Sequence, residues 1–369
     1  DYIIKHRAKY SSANNHLIVE MYAVGMSGIF FDYKPWEKLA FKILTEELPR
    51  QNYADGVNKE MSLHYQSFVM EAYGLLMIEM KHNHIKIPQI WEEYLMHMSE
   101  FMCDCCGEYG ETVVFGDNDE GKILDLSGEH FDHYRYVLDL MGNVLSKRYS
   151  KMENIHENLC WILSDDFQNS VLQKNCYYSP EVKCYKEGGY TLWRSKNNKV
   201  LIGIDHADLG FGSLAAHGHA DALSFQMFIE GVPVFVDPGT YNYHVPKKIR
   251  DEFRATKNHN TVCVNDQNQA EILGPFLWGK RYKINNVEFD NECEKKCIMT
   301  AELQNSSYVH RRKFVYNKAN QLIIEDVVQG GQDIHLALIC NFKAKIEVNQ
   351  NVVIVRIGDK VVKINFDEA

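Results

Sequence analysis

Apolar residues recur at helical spacing through the first ~165 residues. The stripes with apolar positions every three or four residues lie at 17–26, 36–48, 65–76, 91–102 and 137–145. The spacing predicts a helix over each of them. We expect Pro49 to end the second helix and Ser62 to cap the third, because proline lacks an N–H and serine accepts one.

The pattern changes near residue 178 to short runs of alternating or β-branched residues with polar turns. The predicted strands are 190–194, 200–204, 223–229, 232–236, 261–264, 308–316, 322–328, 334–339 and 352–357. Glu230-Gly231 is typical of a two-residue hairpin loop. Helices followed by strands indicate an α+β protein. We place the boundary after residue 170, with a helical domain over 1–170 and an antiparallel β-sandwich over 171–369.

Charge and composition exclude several classes of protein. The chain has 369 residues and a net charge of −10, which argues against a general nucleic-acid binder. It has no apolar run near the ~18 residues of a membrane span, and no signal-peptide pattern is expected in it. The ten cysteines lack the spacing of a zinc knuckle. Buried or free thiols are the favoured interpretation, and disulfides or a metal cluster remain open.

The candidate chemistry centres on His217-Gly-His219, followed by Asp237 and His259. Core packing, a metal site and a catalytic pair without metal all remain open from the residues alone. Zinc bound by two histidines and one carboxylate would use His219, Asp237 and His259. An ideal hairpin would place Asp237 opposite Ser224, so the His-Gly-His segment would have to bend back towards it.

Polar residues in the helical part have plain structural interpretations beside functional ones. Asn14 or Asn15 is favoured as an N-cap ahead of His16. Tyr65 near a helix start is typical of half-buried packing. The acidic stretch 117–121 lacks the later glutamate of a calcium loop and is read as a solvated turn.

A local surplus of positive charge surrounds the candidate site. Eight basic residues and four acidic ones lie between Thr240 and Lys283, a net charge of +4 in an acidic chain. A polyanion would be attracted to this stretch, although a solvated face explains it equally well. Tyr241 and Arg254 are our candidate substrate-binding residues.

Several motifs resemble the heparinase II/III-like polysaccharide lyases, in the same order. They are Ser-Ala-Asn-Asn-His-Leu (12–17), Asp-Gly-Val-Asn-Lys-Glu-Met-Ser-Leu-His-Tyr (55–65), His-Gly-His-Ala-Asp-Ala-Leu-Ser-Phe (217–225), Val-Phe-Val-Asp-Pro-Gly-Thr-Tyr (234–241), Asn-His-Asn-Thr-Val (258–262) and Gly-Pro-Phe-Leu-Trp-Gly-Lys-Arg (274–281). The resemblance implies an N-terminal α/α toroid, incomplete before Asp1, followed by an antiparallel β-sandwich domain.

The resemblance also implies a reaction, the β-elimination of a uronic-acid-containing acidic polysaccharide that leaves a 4,5-unsaturated product. In that reaction Asn15 and His16 would neutralise the sugar carboxylate. Tyr65 would act as the acid and, for one substrate stereochemistry, also as the base; His217 is the other candidate base. His219, Asp237 and His259 match the zinc ligands of the family, where the zinc is usually structural.

The resemblance implies a periplasmic or extracellular location, while the cysteine content leaves the cytoplasm open. The particular polysaccharide and the oligomeric state are left open as well. The main alternative is a non-catalytic protein that binds acidic glycans on the same fold. A zinc hydrolase is a weaker alternative, because the chain has no His-Glu-x-x-His helix.

Overall fold

The structure is a computed structural model that describes residues 1–126, 132–149, 156–163, 175–291, 296–317 and 321–367. These residues form two compact units. The first contains 1–104, 116–179 and 210–218, and the second contains 105–115, 180–209 and 219–369, each within the described ranges. The predicted boundary between residues 170 and 171 lies outside the described residues.

Helices make up the first unit, as predicted. Their bounds are α1 Tyr2–His6, α2 Asn15–Phe30, α3 Lys34–Gln51, α4 Leu63–His82, α5 Gln89–Cys105, α6 His133–Leu145 and α7 Glu157–Ile162. Only three residues join α2 to α3, so the two form an antiparallel helical hairpin. Helix α4 is buried along almost its whole length and packs against α2 and α6. No helix in the described ranges is long and apolar enough to cross a bilayer.

Two of the predicted helix ends have different outcomes. Ser62 caps α4 by accepting a hydrogen bond from the Tyr65 backbone N–H, as expected. The predicted end of α3 at Pro49 is wrong, because the helix continues to Gln51. The proline removes a single N–H, and the Asn52 side chain donates to the Leu48 carbonyl at 2.8 Å, which satisfies the last turn.

Antiparallel sheets make up most of the second unit. Its strands are β1 Val182–Tyr185, β2 Tyr190–Arg194, β3 Val200–Asp205, β4 Phe225–Ile229, β5 Val232–Phe235, β6 Val262–Val264, β7 Ile272–Gly274, β8 Leu277–Trp278, β9 Lys283–Asp290, β10 Lys296–Gln304, β11 Val309–Asn317, β12 Gln321–Gln329, β13 Ile334–Leu336, β14 Lys345–Asn349, β15 Val352–Ile357 and β16 Lys360–Asn365. A short helix, α8, covers Lys247–Phe253.

Two of the sheets pack face to face around an aromatic core. Strands β1 to β5 form one sheet in sequence order, and β12-β11-β10-β9 form the other. Trp193 of the first sheet stacks on Tyr316 of the second at 5.6 Å between ring centroids. It also meets Phe314 edge-on at 6.4 Å, and Phe225 lies 6.3 Å from the same ring. This is the sandwich that the alternating runs predict.

The predicted hairpin at Glu230-Gly231 is confirmed, with one irregularity. Both loop residues have positive φ, 48° and 78°, as a type I′ turn requires. A bulge then pairs Met227 with Phe235, one residue beyond the ideal register. Strand β4 begins only at Phe225, so residues 217–224 are not part of the sheet. The His-Gly-His segment can therefore bend back towards Asp237, as a shared metal site would require.

None of the nine cysteines in the described ranges forms a disulfide. Cys103 and Cys105 lie buried at the end of α5. This outcome agrees with the prediction of buried or free thiols.

A buried arginine ties β11 to the segment that precedes β4. Arg312 is completely buried and forms a bidentate pair with Asp326, at 2.6 and 2.9 Å. Its Nη1 also donates to the carbonyls of Leu223 and Asn260, at 2.7 and 2.8 Å. Asn260 in turn donates to the carbonyl of Phe225. The guanidinium therefore fixes two loops that flank the candidate metal ligands.

Replacing Arg312 by methionine should lower the free energy of unfolding by about 3–5 kcal/mol, because the Asp326 carboxylate loses its buried guanidinium partner. Arg311→Met is the matched control. That neighbouring side chain is 52% exposed and lies 3.7 Å from Glu288, so its loss should cost less than about 1 kcal/mol. Urea denaturation measures both values. Equal losses for the two variants would contradict the buried network.

Candidate active site and metal-ligand cluster

Tyr65 and His217 lie together in the first unit. Tyr65 is the third residue of α4, where the Ser62 cap fixes the start of the helix. Its ring stacks on the His217 imidazole with 3.7 Å between centroids and 23° between planes. Both side chains are nearly buried, at 6% and 7% exposure. The structure thus brings these two candidate catalytic residues together.

Asn15 and His16 begin α2 near the same histidine. Asn14 is the N-cap, and its side chain accepts from the His16 backbone N–H. Asn15 is buried, and its backbone N–H and its side-chain amide both donate to the Glu60 carboxylate, at 3.0 and 2.9 Å. His16 is exposed. Glu60 Oε2 lies 3.6 Å from His217 Nε2, so one carboxylate links α2 to the Tyr65–His217 pair.

Glu60 was not among the residues selected from the sequence. Its side chain is 3% exposed, and burial raises the pKa of the carboxyl above its usual range. His217 and the Asn15 donors counteract part of this shift. The Asn15 and His217 side chains therefore stabilise the charged form of the buried Glu60 carboxylate. The same hydrogen bonds orient the side-chain amide of Asn15.

The stretch 117–121 is more than the solvated turn that was predicted. The turn itself is confirmed, since Asn118 and Asp119 accept from backbone N–H groups two residues on. Asp117, however, is fully buried, with Oδ2 3.3 Å from His217 Nδ1. Asp119 accepts a hydrogen bond from the Tyr65 hydroxyl at 3.0 Å. Local sequence patterns do not show these contacts, because Asp119 is 54 residues from Tyr65 and Asp117 is 100 residues from His217.

A concavity of about 50 Å³ lies beside these residues in the first unit. Its lining includes Asn14, Glu60, the exposed ring of Tyr10 and the stretch 211–214. A volume of this size holds ordered water.

Replacing Glu60 by glutamine should lower the free energy of unfolding by about 1–3 kcal/mol, because an amide offers one acceptor oxygen to donors that now share two. Glu46→Gln is the control, since Glu46 is exposed on α3 and lies 3.9 Å from Lys42. Chemical denaturation compares the variants. A Glu60→Gln protein as stable as the parent would show that the carboxylate does not hold Asn15.

A cluster of four metal-ligand side chains lies in the second unit. His219, Asp221, Asp237 and His259 each offer one ligand atom, and these atoms lie within 4.8 Å of one another. His259 Nδ1 is 2.9 Å from Asp237 Oδ2. The three ligands expected from the sequence are thus brought together, and Asp221 joins them. The Asp221 signal was present in the His-Ala-Asp motif, two residues after His219.

Burial and charge around this cluster fit a cation. Burial raises the pKa of Asp221, and burial with the Asp221 charge raises the pKa of Asp205 well above its usual range. Burial also opposes ionisation of Asp237, but His259 lowers its pKa below the usual value. His259 Nε2 is buried and has no hydrogen-bond partner among the described residues. Two imidazoles and two carboxylates are the ligand types that zinc accepts.

The two candidate substrate-binding residues have different surroundings. Tyr241 is 70% exposed, has a left-handed backbone with φ of 64° and stacks on Phe253 at 5.3 Å. Arg254 is completely buried, donates to Asp251 and to the Gly274 carbonyl, and lies 4.8 Å over the Trp278 ring. The position of Arg254 does not fit the predicted contact with a substrate. The net positive charge of residues 240–283 suggested a surface role for Arg254, but its guanidinium is used in contacts within the protein.

The order of helices followed by an antiparallel β-sandwich defines an α+β protein of two units. Two sequence models of one family match the chain, the heparinase II/III N-terminus over residues 1–122 and the heparinase II/III-like C-terminal region over residues 179–365. The chain belongs to the heparinase II/III-like family.

Curated relatives and solved structures agree with this membership. The heparin-sulfate lyase of Bacteroides thetaiotaomicron is 24% identical over 298 residues, which are 77% of this chain and 41% of that protein. The heparin-sulfate lyase of Bacteroides stercoris is 21% identical over 336 residues, 88% of this chain and 45% of that protein. The chain thus spans less than half the length of these two relatives.

Structural similarity extends over almost the whole chain. A crystal structure of heparinase III matches with a TM-score of 0.69 and 20% identity, over 95% of this chain and 53% of that one. A heparan sulfate lyase mutant from Pedobacter heparinus matches with a TM-score of 0.71 and 17% identity, over 95% and 52%. The shared fold confirms the fold class expected from the sequence.

Proposed function

We propose that this protein is a polysaccharide lyase that cleaves uronic-acid-containing acidic polysaccharides by β-elimination. The observation that carries the proposal is the stacked pair of Tyr65 and His217, with Asn15 and His16 beginning a helix next to the same buried Glu60. Its curated relatives are named heparin-sulfate lyases, so heparan sulfate is the first substrate to test.

The elimination requires three tasks of the protein. The C5 proton of a uronic acid is weakly acidic, and neutralising the adjacent carboxylate makes its removal easier. A base must take that proton, and an acid must protonate the leaving oxygen at C4. Asn15 and His16 are proposed for the first task, while His217 and Tyr65 serve the other two.

The surroundings of His217 suit the role of a base. Asp117 Oδ2 faces the ring nitrogen Nδ1 at 3.3 Å, and such a contact fixes the tautomer and orients the ring. With the proton on Nδ1, Nε2 is the nitrogen that can accept one. The backbone supports the same orientation, because the Asp117 N–H donates to the His217 carbonyl at 2.9 Å.

Tyr65→Phe should reduce turnover about 10²–10⁴-fold while leaving the fold intact, because only the hydroxyl that moves the proton is removed. The measurement is the near-ultraviolet absorbance of the unsaturated product with heparan sulfate, hyaluronan, chondroitin and alginate. Tyr94→Phe on α5, which is half-buried and far along the chain from the site, should keep its activity. Saturable glycan binding without cleavage would instead support the non-catalytic alternative.

For the four-residue cluster we propose zinc in a structural role. His219, Asp221, Asp237 and His259 would hold it, and when bound it would neutralise buried carboxylates and tie together three segments of the second unit. Because His219 is two residues from His217, order in the cluster would also limit the movement of the His217 backbone.

His259→Ala should lower the zinc content of the purified protein well below that of the parent and reduce its melting temperature, because one imidazole ligand and a partner of Asp237 are lost. His244→Ala is the control, since His244 is exposed. Metal analysis and thermal melting with and without a chelator measure the effect. A metal-free parent whose melting ignores both zinc and chelator would refute the proposed zinc.

A further inference from the structure

Asp119 engages Tyr65 and a neighbouring histidine with its two oxygens. The Tyr65 hydroxyl donates to Oδ2 at 3.0 Å, and His64 Nε2 lies 3.2 Å from Oδ1. The three proposed tasks of the elimination do not include Asp119. Asp119 nevertheless accepts a hydrogen bond from the Tyr65 hydroxyl, the group that would donate a proton to the leaving oxygen.

The N-terminal end of the acidic loop, residues 117–120, is hydrogen-bonded to the start of α4 and to His217. Ser62 Oγ donates to the Asp117 carbonyl at 2.5 Å, and the Asp117 N–H donates to the His217 carbonyl. Gly116 has φ of 65°, and a Cβ there would lie 2.0 Å from the Met61 carbonyl oxygen. Only glycine allows this close approach of the loop to the chain before α4.

Hydrogen bonds also hold the chain that follows the acidic loop, residues 123–126. The Glu71 carboxylate, on the third turn of α4, accepts from the backbone N–H groups of Ile123 and Leu124, both at 2.9 Å. Asn158 Oδ1 accepts from the Leu126 N–H at 2.8 Å. With both ends held, the carboxylate of Asp119 has a defined position relative to Tyr65.

The charge of Asp119 determines what this contact does. The contact with His64 lowers the pKa of the Asp119 carboxyl to about 2, with smaller contributions from the Gly121 N–H and the Tyr65 hydroxyl. Asp119 is therefore an anion at any pH where the protein would work. An anion that accepts a hydrogen bond from a phenol stabilises the neutral phenol and repels a phenolate.

We propose that Asp119 is a positioning residue that holds the Tyr65 hydroxyl in its neutral, proton-donating form. Tyr65 is then the acid of the reaction, and the base is His217. This rests on the proposed lyase function. The C5–H bond breaks and its proton goes to His217 Nε2, the C4–O4 bond breaks, and a C4–C5 double bond forms. The Tyr65 proton goes to O4 of the leaving sugar. Before the next cycle the His217 imidazolium releases the C5 proton to solvent, and the tyrosinate takes one proton up from solvent.

Other ionisable groups lie around Tyr65 or around its neighbours His64 and His217, and they come from several elements. They are His64 on α4, His133 on α6, Glu60 before α4, Asp117 on the acidic loop and His217 on the segment 210–218. Burial lowers the pKa of His133 to about 3, so this imidazole is neutral. The Asp119 carboxylate accepts directly from the Tyr65 hydroxyl.

Asp119→Asn tests the assignment, because the amide keeps one acceptor oxygen for the Gly121 N–H and removes the charge together with the acceptor that faces the Tyr65 hydroxyl. The matched control is Glu120→Gln, which removes a charge from the exposed neighbour on the same loop. The ionisation of Tyr65 is followed by ¹³Cζ-tyrosine NMR, with the signal identified from its loss in Tyr65→Phe. We expect the midpoint to fall by about one pH unit in Asp119→Asn and to stay unchanged in Glu120→Gln.

Kinetics provide the second measurement. If Tyr65 is the acid, the alkaline limb of kcat/KM against pH should move down with the NMR midpoint in Asp119→Asn. An increase of kcat/KM near neutral pH in that variant would show that tyrosinate is the active form and would overturn the proposal. An unchanged NMR midpoint would overturn it too.

The two proposals can fail separately. If no acidic polysaccharide is cleaved by the parent protein, the lyase function fails. The NMR midpoint still shows whether Asp119 controls the ionisation of Tyr65. If cleavage occurs but the midpoint does not move, the lyase stands and the role of Asp119 is withdrawn.

Discussion

The Glu60 carboxylate is almost completely buried, and several segments of the first unit supply the partners that stabilise its charge. The backbone and side chain of Asn15 donate to it, Asn14 adds a further amide, and His217 lies within 3.6 Å. Removing a carboxylate from water costs several kcal/mol unless such partners are present. The start of α2, the residues before α4 and the segment 210–218 therefore converge on one point.

The second unit meets the same constraint in another way. Asp221 and Asp237 are close to one another, and burial raises the pKa of Asp221 and of nearby Asp205. Two imidazoles beside them supply positive charge only when protonated, whereas a metal ion would supply it at any pH where the ligands are deprotonated. Arg312 shows the third solution, a permanent cation buried against Asp326 and two backbone carbonyls.

The acidic loop places carboxylates next to both side chains of the proposed acid–base pair. Asp117 faces the imidazole of His217, and Asp119 faces the hydroxyl of Tyr65. Two residues of one short loop thus contact the two side chains that would exchange protons with a substrate. A loop held at both ends can keep such contacts within the narrow range of geometry that proton transfer requires.

The sequence alone determined the five long helices, most strands, the hairpin at Glu230-Gly231 and the family, because these depend on local periodicity, turn chemistry and short motifs. It also indicated His219, Asp237 and His259 as one cluster. Only the tertiary structure decided that Asp221 joins that cluster, that Asp119 contacts Tyr65, and that Arg254 is buried in the fold. Burial and contacts between distant residues depend on how the elements pack, and local pattern carries no information on that packing.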